Sequence, residues 1–181
     1  SIEENTVTVR PIIIAPDPRL KSICKPVKFV DAAVVELMND LLETMYYAPG
    51  IGLAAPQIGV ATRVIVVDTA RKDEESQPIK MANPRLIEAS TELWAYEEGC
   101  LSLPEHYAEV KRPTWIRVKY TDETNTAREI EAEELLATCI IHEMDHLDGM
   151  LFVDHLSALK RNMILRKLVK TKKLKQQDAA A

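Results

Sequence analysis

The sequence predicts an α+β fold: largely antiparallel sheets around a central helix, with one further helix near the N-terminus and one at the C-terminus. Three observations lead there. Apolar residues recur at helical spacing only near 34–45, from 133 to 147 and beyond 157. The β-branched and alternating runs are gathered between the first two of these stretches rather than interleaved with helices, which favours antiparallel pairing. The turn-forming clusters between those runs, such as RKDEESQP at 71–78 and TDETN at 121–125, are short enough for hairpins.

Taken in order, VRPIII at 9–14 reads as a short strand, placed at a sheet edge by Pro11. Asp31 is a helix N-cap, followed by Val34, Met38, Leu41 and Met45 on one face and stopped by Pro49-Gly50. TRVIVVD at 62–68 is a strand. Further strands are expected at 79–83, 86–94, 107–111, 114–121 and 127–132. From Glu133 the period becomes helical through Leu135, Leu136, Cys139, Ile140, His142, Glu143 and His146. Glu133 and Glu134 suit the positive end of this helix and Gly149 ends it. The last helix starts near Ser157 and runs over about 157–175. No linker or internal repeat divides the 181 residues, so 1–181 is read as a single domain.

Composition narrows the functional classes. Apolar residues make up 46% and charged residues 28%, which excludes a disordered chain. No apolar run approaches the ~18 residues of a membrane span, and SIEENTVTVR lacks the layout of a secretory signal. The three cysteines, Cys24, Cys100 and Cys139, are too scattered for a disulfide framework and suggest free thiols or a metal ligand in a reducing compartment. The net charge of −5 conceals an asymmetry. Residues 160–175 hold eight bases and no acid, so a basic tail follows an acidic body.

Only five glycines occur, and they fall in GIGLAAPQIG at 50–59, EGCLSLP at 98–104 and HEMDHLDG at 142–149. A chain that otherwise avoids glycine places it here, which points to these segments as one site. The third segment carries the chemistry. His142-Glu143-Met144-Asp145-His146 is an H-E-x-x-H pattern on a helix: the two imidazoles share a face and can hold one metal ion, and Glu143 can reach a water on it. A protease-type third ligand does not follow. The position six residues after His146 is Phe152, and no Glu occurs beyond Glu143. Downstream, Asp148 lies off the His face, while Asp154 and His155 are too close in sequence without a sharp reversal. The better candidate is upstream: Cys100 beside Gly99, completing a thiolate and two-imidazole set suited to Zn²⁺ or Fe²⁺. Cys139 falls on the apolar side of the helix and reads as packing. His106 and His155 read as surface or supporting residues.

GIGLAAPQ, EGCLSLP and HEMDH, in that order and at these separations, resemble the three motifs of the bacterial peptide deformylases. The resemblance spans nearly the whole chain, and the basic C-terminal helix is similar to that of the subclass common in Gram-negative bacteria. It implies a cytoplasmic bacterial hydrolase that removes the N-formyl group from the initiator methionine of newly synthesised polypeptides. It implies Cys100, His142 and His146 as ligands of one divalent ion, natively Fe²⁺, with Zn²⁺, Ni²⁺ or Co²⁺ also accepted. Glu143 is then the general base and acid on the metal-bound water. The Gln57 amide and the Leu101 N–H donate to the oxyanion. The backbone at Ile51, Gly52 and Glu97, Glu98 and Gly99 pairs with the peptide as an added strand. Ile51, Leu135, Thr138, Cys139 and His142 form the methionine pocket, with Thr138 where some relatives have Ile. Glu98 and Arg112 are a candidate supporting ion pair. Partners follow as the nascent formyl-methionyl chain and, through the basic helix, the ribosome and its RNA, with no DNA and no membrane. Two other readings stand beside this one. A metalloprotease is disfavoured by the missing third-ligand positions, and a non-catalytic metal-binding module by the presence of Cys100, Glu143 and Gln57.

Overall fold

The computed structural model describes residues 8–180; residues 1–7 and 181, the ends of the expected 1–181 domain, lie outside the described residues. The Asp31 carboxylate accepts from the Val34 N–H at 3.0 Å and starts helix α1, Ala32–Tyr47, whose inner face is Leu37, Met38, Leu41, Leu42 and Met45. Helix α2, Glu134–Leu147, carries the H-E-x-x-H residues. Between the two lies an antiparallel five-stranded sheet. Its strands are β1 (Gly52–Ala54), β2 (Val64–Val67), β3 (Ile79–Ala89), β6 (Trp115–Thr121) and β7 (Ala127–Glu133), in the order β1-β2-β3-β6-β7. Strands β4 (Leu93–Cys100) and β5 (Leu103–Pro113) form a separate two-stranded antiparallel sheet.

Strand β2 explains the layering. All four of its residues are buried, and alternation sends Val64 and Val66 to the α1 side while Ile65 and Val67 meet Ala137, Cys139, Ile140 and Leu147 of α2. A third apolar cluster joins Leu103 and Val110 of β5 to Leu151, Phe152 and Val153 and to Leu168 of helix α3, Ala158–Ala180. Helix α2 stops at Gly149, whose φ is +74°. A Cβ there would lie 2.5 Å from the Lys21 carbonyl oxygen, so both the conformation and the contact call for glycine.

Four expectations about elements are corrected. The segment at 9–14 is extended but forms no strand. It is tied down singly, by Ile13 N–H to the Gln57 carbonyl and by Ala15 N–H to the Ser102 carbonyl, both at 2.8 Å, and Pro11 has no donor for a ladder. The expected strand at 86–94 is broken between β3 and β4 at Ser90–Glu92, where Ser90 Oγ donates to the Glu92 carbonyl at 2.8 Å. Strand β1 at 52–54, and β4 beyond the expected 93–94 as far as Cys100, occupy the two glycine-bearing segments, where no strand was expected. Helix α3 extends beyond the expected 157–175, to Ala180.

Candidate active site

The four-residue spacing places His142 and His146 one turn apart on α2, with ring centroids 5.1 Å apart. The ladder between β4 and β5 is irregular at Gly99 and Cys100, and this end of β4 turns the Cys100 Sγ to within 3.4 Å of His146 Nε2. One ligand atom each from Cys100, His142 and His146 lies within 4.8 Å of the others.

Each group around this triad has a fixed orientation. Glu98 Oε1 lies 2.8 Å from His142 Nδ1, so that nitrogen donates to the carboxylate and Nε2 is left for a ligand. Arg112 forks onto the same carboxylate, Nε to Oε2 at 2.6 Å and Nη2 to Oε1 at 2.9 Å. Both side chains are almost fully buried. Burial alone would raise the Glu98 carboxyl, but hydrogen bonds from His142 and Arg112 outweigh it and bring it down to about 2. The third face of Arg112 donates to Asp145 Oδ2 at 3.0 Å, and His155 Nε2 meets that same oxygen at 2.8 Å. The expected Glu98–Arg112 pair is therefore present, and Asp145 and His155 extend it.

Glu143 is 3% exposed, with Oε1 3.7 Å from His142 Nε2 and Oε2 without a hydrogen-bond partner among the described residues. Burial pushes its carboxyl up to about 7. Glycine at 52 allows this position: a Cβ there would meet Glu143 Cγ and Cys139 Sγ, each at 2.9 Å. Gln57 sits on a short 3₁₀ turn, Ala55–Ile58, closed by Gly59 at φ +87°. The Ala54 N–H donates to its Oε1 at 2.9 Å. Its Nε2 donates to Ser102 Oγ at 3.0 Å and reaches Cys100 Sγ at 3.5 Å. The amide is thus held with its NH₂ toward the thiol.

A cleft of about 600 Å³ opens in front of these groups. Its lining includes every residue expected to pair with the peptide or to surround its first side chain: Ile51, Gly52, Leu135, Thr138, Cys139, His142, and the stretch Glu97, Glu98 and Gly99. Leu101, Cys100 and Glu143 line it too, while Gln57 and His146, each 1% exposed, lie behind the wall. Of the five glycines, Gly50, Gly52 and Gly99 line the cleft. Gly59 and Gly149 instead have positive φ and end a turn and a helix, so the glycine pattern marked two kinds of position. Sequence reasoning missed Ser102, fully buried against Gln57, and the bond from Glu98 to His142. The Ser in CLSLP and the Asp in HEMDH were visible, but nothing in their spacing signals a supporting role.

The donor set fits a divalent metal ion. A half-buried thiol and two buried imidazoles converge, with His146 Nε2 facing the thiol. The sequence pattern of the polypeptide deformylases matches residues 9–162. The chain belongs to that family. A peptide deformylase of Methylocella silvestris is 56% identical over 173 residues, covering 94% of this chain and 88% of the relative. The crystal structure of a peptide deformylase from Legionella pneumophila superposes with a TM-score of 0.85 at 45% identity, over 93% of this chain and 98% of that one. The deformylase of Ehrlichia chaffeensis in complex with actinonin superposes with a TM-score of 0.87 at 36% identity, over 91% and 98%. The α+β architecture of this chain is thus a deformylase fold, and the chain is an enzyme of that family.

Proposed function

We propose that this enzyme removes the formyl group from the N-terminal formyl-methionine of newly made polypeptides. The observation that carries the reading is the place of Glu143: a buried carboxylate with one oxygen unpaired among the described residues, beside a Cys100–His142–His146 donor set, in the lining of an open cleft. Cys100, His142 and His146 would hold one divalent ion, Fe²⁺ by the family resemblance, although this donor set also accepts Zn²⁺, Ni²⁺ or Co²⁺. Such an ion supplies Lewis-acid polarisation of the formyl carbonyl and acidification of a water. Glu143 takes the proton of the attacking water on its carboxylate and returns it to the leaving amine nitrogen. The Gln57 Nε2 and the Leu101 N–H donate to the carbonyl oxygen as it gains charge. Gln57 is prepared for this role because Ala54 and Ser102 already fix both ends of its amide.

The cleft supports the substrate assignment. Among the described residues, strand β1 is the outer strand of the large sheet and β4 pairs only with β5, so each has an edge free to accept an extended peptide. Main-chain pairing at Ile51, Gly52 and Glu97 to Gly99 is indifferent to sequence. Ile51, Leu135, Thr138 and Cys139 would surround the first side chain. An acetyl group would add a methyl close to the donor set, Gln57 and the backbone of the GIGL segment. The partner is accordingly the nascent chain in the bacterial cytoplasm. Helix α3 would bring the enzyme to ribosomal RNA through its eight bases, while Leu168 anchors it to the body. No DNA partner is proposed, and no helix among the described residues is long and apolar enough to cross a membrane. Hydrolysis of formyl-Met and acetyl-Met peptides tests the reading: rapid release of formate with the acetyl peptide left intact is expected, and comparable rates on both would overturn it.

A further inference from the structure

A second groove, of about 520 Å³, runs beside the cleft between the 105–109 stretch of β5 and helix α3. Its helical wall is Lys160, Met163, Ile164 and Lys167, the i, i+3, i+4, i+7 stripe of one helix face, with Leu156 at its foot. The opposite wall includes Glu97, Glu105 and Glu109. Glu97, Glu105, His106 and Tyr107 line both the groove and the cleft, so the two are continuous across Tyr107, whose side chain is largely exposed.

We propose that this groove carries the part of the substrate polypeptide that follows its first few residues, leading it from the cleft across Tyr107 and along α3. The proposal rests on the deformylase reading of the cleft given above. Three features fit an arbitrary polypeptide rather than a small ligand. The groove is a continuation of a cleft with free strand edges, and β5 has no strand partner on its other side among the described residues. Its floor is apolar, through Met163, which is 43% exposed, and the half-buried Ile164 and Leu156. Its rims carry both signs of charge, lysines on one side and glutamates on the other, so neither acidic nor basic side chains are excluded. The stem of each lysine also offers apolar surface to whatever lies between. From Lys160 to Lys167 the helix rises about 10 Å, the length of about three extended residues.

The test compares a formyl-Met tripeptide with a decapeptide that begins with the same three residues, in the absence of ribosomes. The parent enzyme is expected to show a kcat/KM about fivefold higher on the decapeptide, through KM, as burial of part of an apolar side chain would give. Met163→Asp should abolish that gain and leave the tripeptide unchanged, which also shows that the variant is folded. A decapeptide carrying a benzophenone at its sixth residue should cross-link to the 160–167 face of α3. Equal kcat/KM for both lengths in the parent, a gain that survives Met163→Asp, or cross-linking elsewhere would each overturn the groove assignment. A parent that leaves the tripeptide itself intact would overturn the reading of the cleft, and this proposal with it.

Discussion

Glu98 Oε1 sits 2.8 Å from His142 Nδ1, and the Arg112 guanidinium closes on the other side of the same carboxylate. The strand that ends in one proposed ligand thereby sets the ring orientation of another. Glu98→Ala should lower metal affinity by about 10–100-fold, the usual effect of losing a carboxylate behind a ligating His. A competition assay against a calibrated chelator measures it, and unchanged affinity would remove Glu98 from this role.

Cys100→Ala removes the one ligand that α2 does not supply. The protein purified anaerobically should then lose stoichiometric metal, as read by elemental analysis. Full occupancy would show that another group completes the set.

Glu143→Gln should keep its metal and lose ~10²–10⁴-fold in kcat, the range for a general acid–base group. Gln57→Leu should lose ~10²–10³-fold through one oxyanion donor. A rate near that of the parent in either variant excludes that side chain from the proposed chemistry.

Gly52→Ala tests the contact between β1 and the base. The added methyl would meet Glu143 Cγ and Cys139 Sγ at 2.9 Å, and both belong to a packed helix. Overpacking of this kind costs about 1–3 kcal/mol, part of it taken up by moving Glu143. We expect a lower melting temperature and at least a roughly tenfold loss of kcat, since small displacements of a catalytic group are amplified. Retained kcat would mean that β1 yields instead.

Charge reversal at Lys170, Lys172, Lys173 and Lys175 tests α3 without touching Leu168, which anchors it. All four are exposed. Co-sedimentation with ribosomes should weaken, and its dependence on salt should flatten as fewer counterions are released. Hydrolysis of a short free peptide should not change. Binding as tight as the parent at low salt would leave these lysines as ordinary solvated charge.

Much of this was legible in the sequence because periodicity and motif spacing are local properties. The cap at Asp31, the end of α2 at Gly149 and the shared face of His142 and His146 all follow from neighbours within a turn or two. The segment at 9–14 was misread because its β-branched pattern competes with single long-range ties to Gln57 and Ser102, which no local pattern reveals. Strands β1 and β4 were hidden for the opposite reason. Their glycines lower strand propensity, yet those same glycines permit the close approach of Glu143 and of the Tyr107 ring. The bond from Glu98 to His142 joins residues 44 positions apart, and such pairings emerge only when the two sheets and α2 are assembled.

The proposed metal donors come from two separate parts of the fold. Cys100 ends a strand of the small sheet, His146 lies on α2, and 46 positions of chain separate them. An ion held by both is a reversible cross-link whose occupancy depends on free-ion concentration. Because the ligand set converges only in the folded chain, ion binding adds directly to folding stability, by about 4 kcal/mol at a thousandfold excess over Kd. With the proposed ion in place, the melting temperature of this enzyme would itself be a gauge of free-ion activity, rising with the logarithm of the ion supplied and falling when a chelator competes for it.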